Sequence, residues 1–340
     1  MFGRRKKGGK AQKRSLKHCT AVTVCPLQRC RRRAAASRIC VPCVKPDGNM
    51  VRLAIATASG ICAAAAHAPP GHMENMFKLP NCQGLVDVRE EGDLPTASEF
   101  ARLYQTKFGK PVLFKGAAKH MKAMKTFTDD AYMAEHFSDQ SLGMVEFAKK
   151  ETRTAGGAEM KVGEFLRRYK KDDLYTVSAV PPKMAGDVEI LPFLSCSYGT
   201  SFLDINNMWW SSGGTKSVIH NDDQDNINCL FEGRKRMIFW HPSDKAKIES
   251  DVCGWVDADV ERQTNPRYEA YGAFGGKIDV DQVDLETYPM WGKLKWWDAP
   301  MEAGDCLFIP TAWYHHVRST GRNIAANVWW WRDDRTKPEE

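Results

Sequence analysis

The stretch KSVIHNDDQDNINCLFEGRKRMIFWHP, residues 216–242, contains the pattern that most strongly indicates a fold class for this chain. Short apolar runs alternate with polar residues, and Glu232-Gly233 divides the stretch with a turn signal, a pattern typical of β-strands. His220 and Asp222 lie two residues apart, so on a strand their side chains project to the same face. An imidazole and a carboxylate that converge in this way can bind a metal ion. Because the chain has nine histidines, this tripeptide alone is a weak indication.

A second motif, GDCLFIPTAWYHHV at residues 304–317, places the adjacent histidines His315 and His316 on another predicted strand. The segments NNMWWSSG before the first motif and NIAANVWWWR after the second are also typical of strands. Seven short strands in this order predict a mainly β fold with flanking helices, the double-stranded β-helix or jelly roll of the cupins. Two histidines and one carboxylate on facing strands of such a roll are the ligand set of a non-haem Fe(II) centre with open coordination positions.

The predicted folded domain spans residues 79–332, and residues 333–340 form a short tail. Thr96 and Glu99 form a capping box that predicts the start of a helix with one apolar side. The other predicted elements before the first motif are a buried strand at 110–116, mainly helical structure over 117–170 and a strand at 173–180.

Residues 243–303 interrupt the predicted strands as a long acidic insertion that is rich in tyrosine and tryptophan. The insertion either covers the substrate site as a lid or packs over the outer face of the roll. The aromatic residues on which both alternatives depend are Trp255, Tyr268, Tyr271, Trp291, Trp296 and Trp297.

Positive charge is concentrated at the start of the chain. Residues 1–52 contain 15 Lys/Arg and a single acid, Asp47, which gives this segment a net charge of +14. The rest of the chain carries a net charge of −7 by difference from the total of +7. Residues 1–49 are therefore predicted to be a disordered basic tail or a gene-model extension. Because the body is acidic, the basic total does not support nucleic-acid binding by the folded domain.

The cysteines do not indicate a disulfide framework. Six of the 11 precede residue 68, and the five in the body have no short repeated spacing. Cys40 and Cys43 have the spacing of half a zinc site, but the irregular spacing of the cysteines around them argues against a zinc cluster.

Residues 50–70 have the layout of a secretory signal. Arg52 is followed by a weakly apolar run that ends in Ala66-His67-Ala68, an arrangement typical of a cleavage site. If translation starts at Met50, this segment predicts delivery to the lumen of the secretory pathway. The alternatives are a weak membrane anchor over 51–66, an organelle transit peptide and an Ala-rich linker. Without a targeting signal, the protein is expected in the cytoplasm or nucleus.

Taken together, the two motifs resemble those of the JmjC-type cupin family of oxygenases, which use Fe(II), 2-oxoglutarate and O2. The resemblance is closest to the small single-domain hydroxylase branch, which includes the asparaginyl hydroxylase of hypoxia-inducible factor. It covers about residues 90–332 and is sharpest over 205–242 and 302–331.

The resemblance implies that His220, Asp222 and His316 bind the metal. In the family's WWHH form of the second motif the second histidine is the ligand, and His315 would then face the other way, since adjacent strand residues alternate. The resemblance also implies that Lys235 pairs with the distal carboxylate of 2-oxoglutarate.

Further pocket positions follow from the same resemblance. Ser217 matches a position that supplies a hydroxyl to the distal carboxylate. Asn226, Asn228 and Asn327 match polar pocket positions, or else they are hydrogen-bonded core amides. Tyr175 and Tyr198 are the candidates for a tyrosine that completes the pocket in part of the family.

The activity that the resemblance implies is an Fe(II)- and 2-oxoglutarate-dependent dioxygenase that hydroxylates a side chain of a protein or peptide. The acidic body favours a basic target. A lysine demethylase or a tRNA-modifying oxygenase would have the same ligands. In another class, the chain is a catalytically silent cupin that serves as a scaffold or binding module, or a cupin isomerase or zinc protein, although the latter two usually present a His-x-His pair. The sequence does not indicate an oligomeric state.

Overall fold

Two long antiparallel strands, β9 (Asp225–Trp240) and β14 (Tyr314–Trp330), form the centre of the sheet in the computed structural model. The structure describes residues 68–147, 157–195, 203–250, 253–256, 275–276 and 278–331. The other strands are β1 (Cys82–Leu85), β2 (Asp87–Arg89), β3 (Val112–Phe114), β4 (Ser141–Glu146), β5 (Gly157–Lys161), β6 (Tyr175–Ala179), β7 (Leu203–Ser211), β8 (Lys216–His220), β10 (Trp255–Val256), β11 (Gly275–Gly276), β12 (Trp296–Glu302) and β13 (Cys306–Ile309). The α-helices are α1 (Ala97–Tyr104), α2 (Ala123–Thr126), α3 (Asp130–Phe137), α4 (Val162–Arg168), α5 (Pro182–Ala185), α6 (Pro192–Ser195) and α7 (Lys245–Ile248).

Both central strands have different neighbours along their two halves. The main strand order is β2-β3-β13-β9-β14-β7-β6-β4-β5. The C-terminal half of β9 pairs instead with β12, and the N-terminal half of β14 pairs with β8. A pair of strands that changes neighbours halfway belongs to two layers, which is how a jelly roll is built. The predicted fold class, mainly β with flanking helices, is confirmed.

Two turn signals of the sequence, Glu232-Gly233 and Thr320-Gly321-Arg322, lie inside the long strands and do not separate shorter ones. Gly233 and Gly321 have φ values of 82° and 72°, and the register of β9 and β14 shifts between Thr320 and Ile324. A Cβ at Gly233 would collide with the backbone carbonyl of Arg322. The extra residues form β-bulges at the same level of both strands, and such bulges bend a strand pair between layers.

The predicted helix start at Thr96 is confirmed, because the side chain of Thr96 accepts a hydrogen bond from the N–H of Glu99 at 3.2 Å. The mainly helical prediction for residues 117–170 is only partly right. Helices α2, α3 and α4 lie in this region, but β4 and β5 form a hairpin between them, and β4 also pairs with β6. Short apolar runs are ambiguous between helix and strand, and long-range pairing decides such cases.

The insertion predicted at residues 243–303 includes part of the main sheet, since residues 296–302 form β12. Trp291 and Trp296 are buried together with Ile238 and Trp240 of β9 in one core cluster. These two tryptophans therefore pack against the roll, as in the second of the two alternatives for the insertion, and do not form a lid. Tyr268 and Tyr271 lie outside the described residues.

A separate apolar cluster, here called the inner core, is drawn from five strands of the roll. Its members include Leu113, Leu230, Met237, Phe239, Ala299, Met301, Leu307, Ile309 and Ala325. The faces of β9 and β14 that contribute to this cluster carry the polar residues of the candidate site.

The described part of the chain contains a disulfide, although the sequence predicts no disulfide framework. Cys229 and Cys306 are directly opposite each other on β9 and β13 and are joined by a disulfide bond. Their pairing depends on strand register, which the spacing of the cysteines along the chain does not reveal.

Among the described residues no helix combines the length and apolar character needed to span a membrane. The predicted basic tail, residues 50–67 of the signal-like segment and the C-terminal tail from 333 lie outside the described residues.

Candidate metal centre

The end of β8 and the start of β14 bring three potential ligands together. His220 and His315 are direct neighbours across this strand pair. The Nε2 atom of His220 lies 3.9 Å from Oδ1 of Asp222, and the Nε2 atom of His315 lies 3.7 Å from Oδ2. One ligand atom from each residue lies within 4.8 Å of the others. Two imidazoles and one carboxylate at these distances can coordinate a single first-row metal ion and leave other positions open.

Backbone carbonyls orient both imidazoles for this role. Nδ1 of His220 lies 2.7 Å from the carbonyl oxygen of Val218, and Nδ1 of His315 lies 3.0 Å from that of Trp313. Because a carbonyl only accepts, each Nδ1 carries the proton, and the lone pair of each Nε2 is left free on the side of Asp222. Burial, together with the nearby His220, lowers the pKa of His315 to about 4, so its ring is neutral, as metal binding requires.

The structure brings His315 to this site, where the sequence predicts His316. His316 lies opposite Ile238 of β9, on the face of β14 that packs against the cluster of Trp240 and Trp291. Its side chain is buried, and burial lowers its pKa to about 3. The reason for the difference is strand register. Only one of two adjacent residues can share a face with His220, and the pairing of β14 with β8 places His315 in that position.

Lys235 lies on the inner-core face of β9, opposite Met301 and Ser319. Its side chain is 6% exposed, and Nζ donates a hydrogen bond to Oγ of Ser319 at 2.9 Å. Burial lowers the pKa of Lys235 to about 8, and no carboxylate of the described residues opposes this shift. The sequence predicts that Lys235 points inward, and the register places it there.

Ser319, which the sequence does not single out, joins the candidate site through its hydrogen bond with Lys235. It lies four residues after His315 on β14, so both side chains share a face, about 13 Å apart along the strand. This spacing would have identified Ser319 if His315 had been chosen as the ligand. Val317 lies between them, packs against the inner core and is opposite Ser217 of β8. The predicted position of Ser217 therefore lies on the same face.

The three predicted asparagines form a buried chain of amides on the inner-core face. Nδ2 of Asn228 donates to Oδ1 of Asn327, and Nδ2 of Asn327 donates to Oδ1 of Asn226 at 2.6 Å. Most of their side-chain polar atoms are thus hydrogen-bonded to one another, as expected if these residues are core amides and not pocket residues. Oδ1 of Asn228 is the exception, because it accepts no hydrogen bond within the described part of the chain.

Of the two candidate tyrosines, Tyr175 lies on β6, with its ring centroid 6.1 Å from that of Trp209 on β7. Tyr198 lies outside the described residues.

This arrangement agrees with the comparison to known families. Residues 97–336 match the family model described as the cupin-like domain. The chain belongs to the cupin-like domain family. The family predicted from the two motifs is confirmed, and the JmjC-domain proteins are among its relatives.

Several curated proteins are similar to this cupin-like chain. It is 26% identical over 277 residues to Jumonji C domain-containing protein 5 of Drosophila melanogaster, which covers 75% of this chain and 64% of that protein. It is 31% identical over 170 residues to tRNA wybutosine-synthesizing protein 5 of Gallus gallus, covering 50% and 44%. It is 25% identical over 156 residues to the bifunctional peptidase and (3S)-lysyl hydroxylase JMJD7 of Homo sapiens, covering 44% and 48%. The chain thus spans less than two thirds of the length of these relatives.

Proposed function

We propose that this chain is an Fe(II)- and 2-oxoglutarate-dependent dioxygenase that hydroxylates a side chain of a protein or peptide. The observation that carries the proposal is the arrangement of one face of the roll. A cluster of two histidines and one carboxylate lies at one end of this face. A buried lysine without an ion-pair partner among the described residues lies further along it.

His220, Asp222 and His315 are the residues that would hold the metal, because two imidazoles and one carboxylate are the donor set of non-haem Fe(II) oxygenases. When bound, Fe(II) with 2-oxoglutarate and O2 supplies oxygen insertion, in which 2-oxoglutarate is oxidised to succinate and CO2 while a substrate C–H becomes C–OH. The hydrogen bonds from each Nδ1 to a backbone carbonyl fix the orientation of the rings before the metal arrives.

Lys235 is the residue that would bind the distal carboxylate of the cosubstrate. A buried ammonium group without a counter-ion is costly, and a carboxylate offsets much of this cost. The hydroxyls of Ser319 and Ser217 lie on the same face and can donate to the second carboxylate oxygen. Met237, Phe239 and Val317 line the face around these groups and exclude water from it.

A protein or peptide substrate is favoured by two observations. One relative is named as a lysyl hydroxylase. In addition, the part of the chain after residue 52 carries a net charge of −7, which would repel a nucleic acid and attract a basic peptide. The second candidate is a tRNA substrate, which the similarity to a tRNA wybutosine-synthesizing protein supports.

The proposal is tested with purified full-length protein, Fe(II), 2-oxoglutarate and a library of basic peptides. We expect succinate formation that depends on both additions, together with a peptide mass gain of one oxygen atom. Asp222→Ala should abolish both signals, whereas Asp223→Ala, which removes a neighbouring exposed carboxylate, should retain them. Absence of succinate from the wild-type protein would favour a catalytically silent scaffold. Product in a tRNA library alone would favour the second candidate.

A further inference from the structure

The turn between β13 and β14 contacts two of the candidate metal ligands, Asp222 and His315, through two consecutive residues. The backbone N–H of Ala312 donates to the carbonyl oxygen of Asp222 at 2.8 Å. The carbonyl oxygen of Trp313 accepts the hydrogen bond from Nδ1 of His315 at 3.0 Å. The backbone position of Asp222 and the ring orientation of His315 therefore depend on the same turn.

Asp225 holds this turn from the first residue of β9. Its side chain is completely buried, and Oδ1 accepts the backbone N–H of Thr311 at 2.9 Å. Oδ2 lies 3.4 Å from Nε2 of Gln105, the residue that caps the C-terminal end of α1. A buried carboxylate is tolerated where hydrogen bonds replace its hydration. These contacts join β9, α1 and the turn at one point.

The conformation of the turn needs such support. Ala312 has a φ of 66°, in the left-handed region that a residue with a Cβ rarely adopts. A backbone in this region persists where its surroundings hold it there. The hydroxyl of Thr311, 3.4 Å from the carbonyl oxygen of Asp222, adds a second contact to the bond made by Ala312.

We propose that Asp225 is a positioning residue of the metal centre, which acts through residues 311–313 on Asp222 and His315. The inference rests on the proposed function, because it assigns the geometry of the same site. Asp225 contributes no ligand atom to the cluster of His220, Asp222 and His315. Its effect is to hold the ligand atoms in place before metal binding, and such supporting contacts affect metal affinity by about 10- to 100-fold.

The test uses variants that differ in what they offer to the N–H of Thr311. Asp225→Ala removes the acceptor, and Asp225→Leu removes it while filling the space. Asp225→Asn keeps an acceptor for Thr311, and its amide can bind Gln105 once that side chain reorients. Asp223→Ala is the matched control, since it removes the same charge from an exposed position two residues away.

The first measurement is the dissociation constant of Co(II) or Fe(II) for the metal-free full chain without substrates, alongside thermal unfolding. We expect the Ala and Leu variants to bind metal about 10- to 100-fold more weakly, and the Asn and Asp223 variants to stay within about threefold of wild type. The second measurement is amide hydrogen exchange at Ala312 in the metal-free protein. It should be faster in the Ala and Leu variants and unchanged in the Asn variant.

Wild-type affinity in a folded Asp225→Leu protein, with unchanged exchange at Ala312, would overturn the inference alone. Equal weakening by Asp223→Ala would overturn it too, since the effect would then be one of net charge. A wild-type chain that binds no metal, with exchange at Ala312 still controlled by residue 225, would instead overturn the proposed function and the metal role of Asp225.

Discussion

His220 and His315 face each other across β8 and β14 with their ring centroids 4.3 Å apart, and both direct Nε2 toward the carboxylate of Asp222. The adjacent His316 lies on the other face of the same strand, opposite Ile238. Of the two adjacent histidines, His315 therefore lies in the candidate ligand cluster, whereas His316 lies in an apolar core.

Replacing each of the two adjacent histidines tests this separation. His315→Ala should abolish stoichiometric binding of Co(II) or Fe(II), because a two-ligand site cannot hold the ion. His316→Gln should bind metal with an affinity within about threefold of wild type, since its ring lies outside the cluster. Metal titration of the two folded proteins is the measurement. Loss of binding in the His316 variant with retention in the His315 variant would return the assignment to His316.

Lys235→Met should separate stability from cosubstrate binding. The folded-state pKa of about 8 lies below the ordinary lysine value of 10.5, so the folded protein releases this proton more easily than the unfolded chain. The unfavourable contribution is complete below pH 8 and disappears as the pH rises toward 10.5. The variant without ligand should therefore be more stable at pH 7 by on the order of 1–3 kcal/mol, with the difference shrinking above pH 8.

The same Lys235→Met variant should bind 2-oxoglutarate too weakly to detect in the presence of metal. Denaturant unfolding at several pH values and calorimetric titration check the two parts. Lys245→Met is the control, because its side chain is 69% exposed. A Lys235 variant that is less stable than wild type at pH 7 would contradict the argument from desolvation.

Asn327→Leu should destabilise the roll strongly. The change removes the donor to Asn226 and the acceptor from Asn228 while keeping the side-chain volume similar. Two buried amide groups lose their partners, at a cost of about 2–4 kcal/mol in the free energy of unfolding. Urea unfolding measures the loss. Asn221→Leu, the same change at a half-buried position, is the control and should cost less. A loss under about 1 kcal/mol in Asn327→Leu would show that the amides of Asn226 and Asn228 find other partners.

Gly233→Ala and Gly321→Ala distinguish backbone strain from collision at the paired bulges. Both glycines have positive φ, but a Cβ at Gly233 meets the Arg322 carbonyl, whereas one at Gly321 meets nothing within 4 Å. Gly321→Ala should cost about 1–2 kcal/mol from the left-handed conformation alone. Gly233→Ala should cost clearly more in the same unfolding experiment. Equal losses would show that β9 can shift away from Arg322.

Local patterns in the sequence predict much of this architecture. The cap at Thr96, the inward direction of Lys235 and the proximity of His220 to Asp222 just beyond the end of β8 all agree with periodicity or short spacing. The choice between His315 and His316 does not, because it depends on how β14 is aligned with β8, an interaction between residues about 95 apart.

The bulges show a similar limit. A glycine with a turn-like neighbourhood indicates positive φ, but a hairpin and a bulge use the same local signal. Whether the chain reverses at Gly233 or continues as one strand depends on the pairing partner, which here bulges at the same level. The disulfide between Cys229 and Cys306 could not be predicted from the sequence for the same reason. Only the register of β9 with β13 makes these cysteines neighbours.

His315 and Ser319 lie on one uninterrupted segment of β14, paired throughout with Phe239 to Lys235 of β9. No loop or hinge separates the histidine cluster at one end of this face from Lys235 at the other. Under the proposed function, the two strands therefore fix the distance between the metal ligand His315 and the cation of Lys235. A keto acid whose carboxylates are separated by one carbon fewer or one carbon more would leave either the ion or Lys235 out of reach, so the backbone itself would select the length of the cosubstrate.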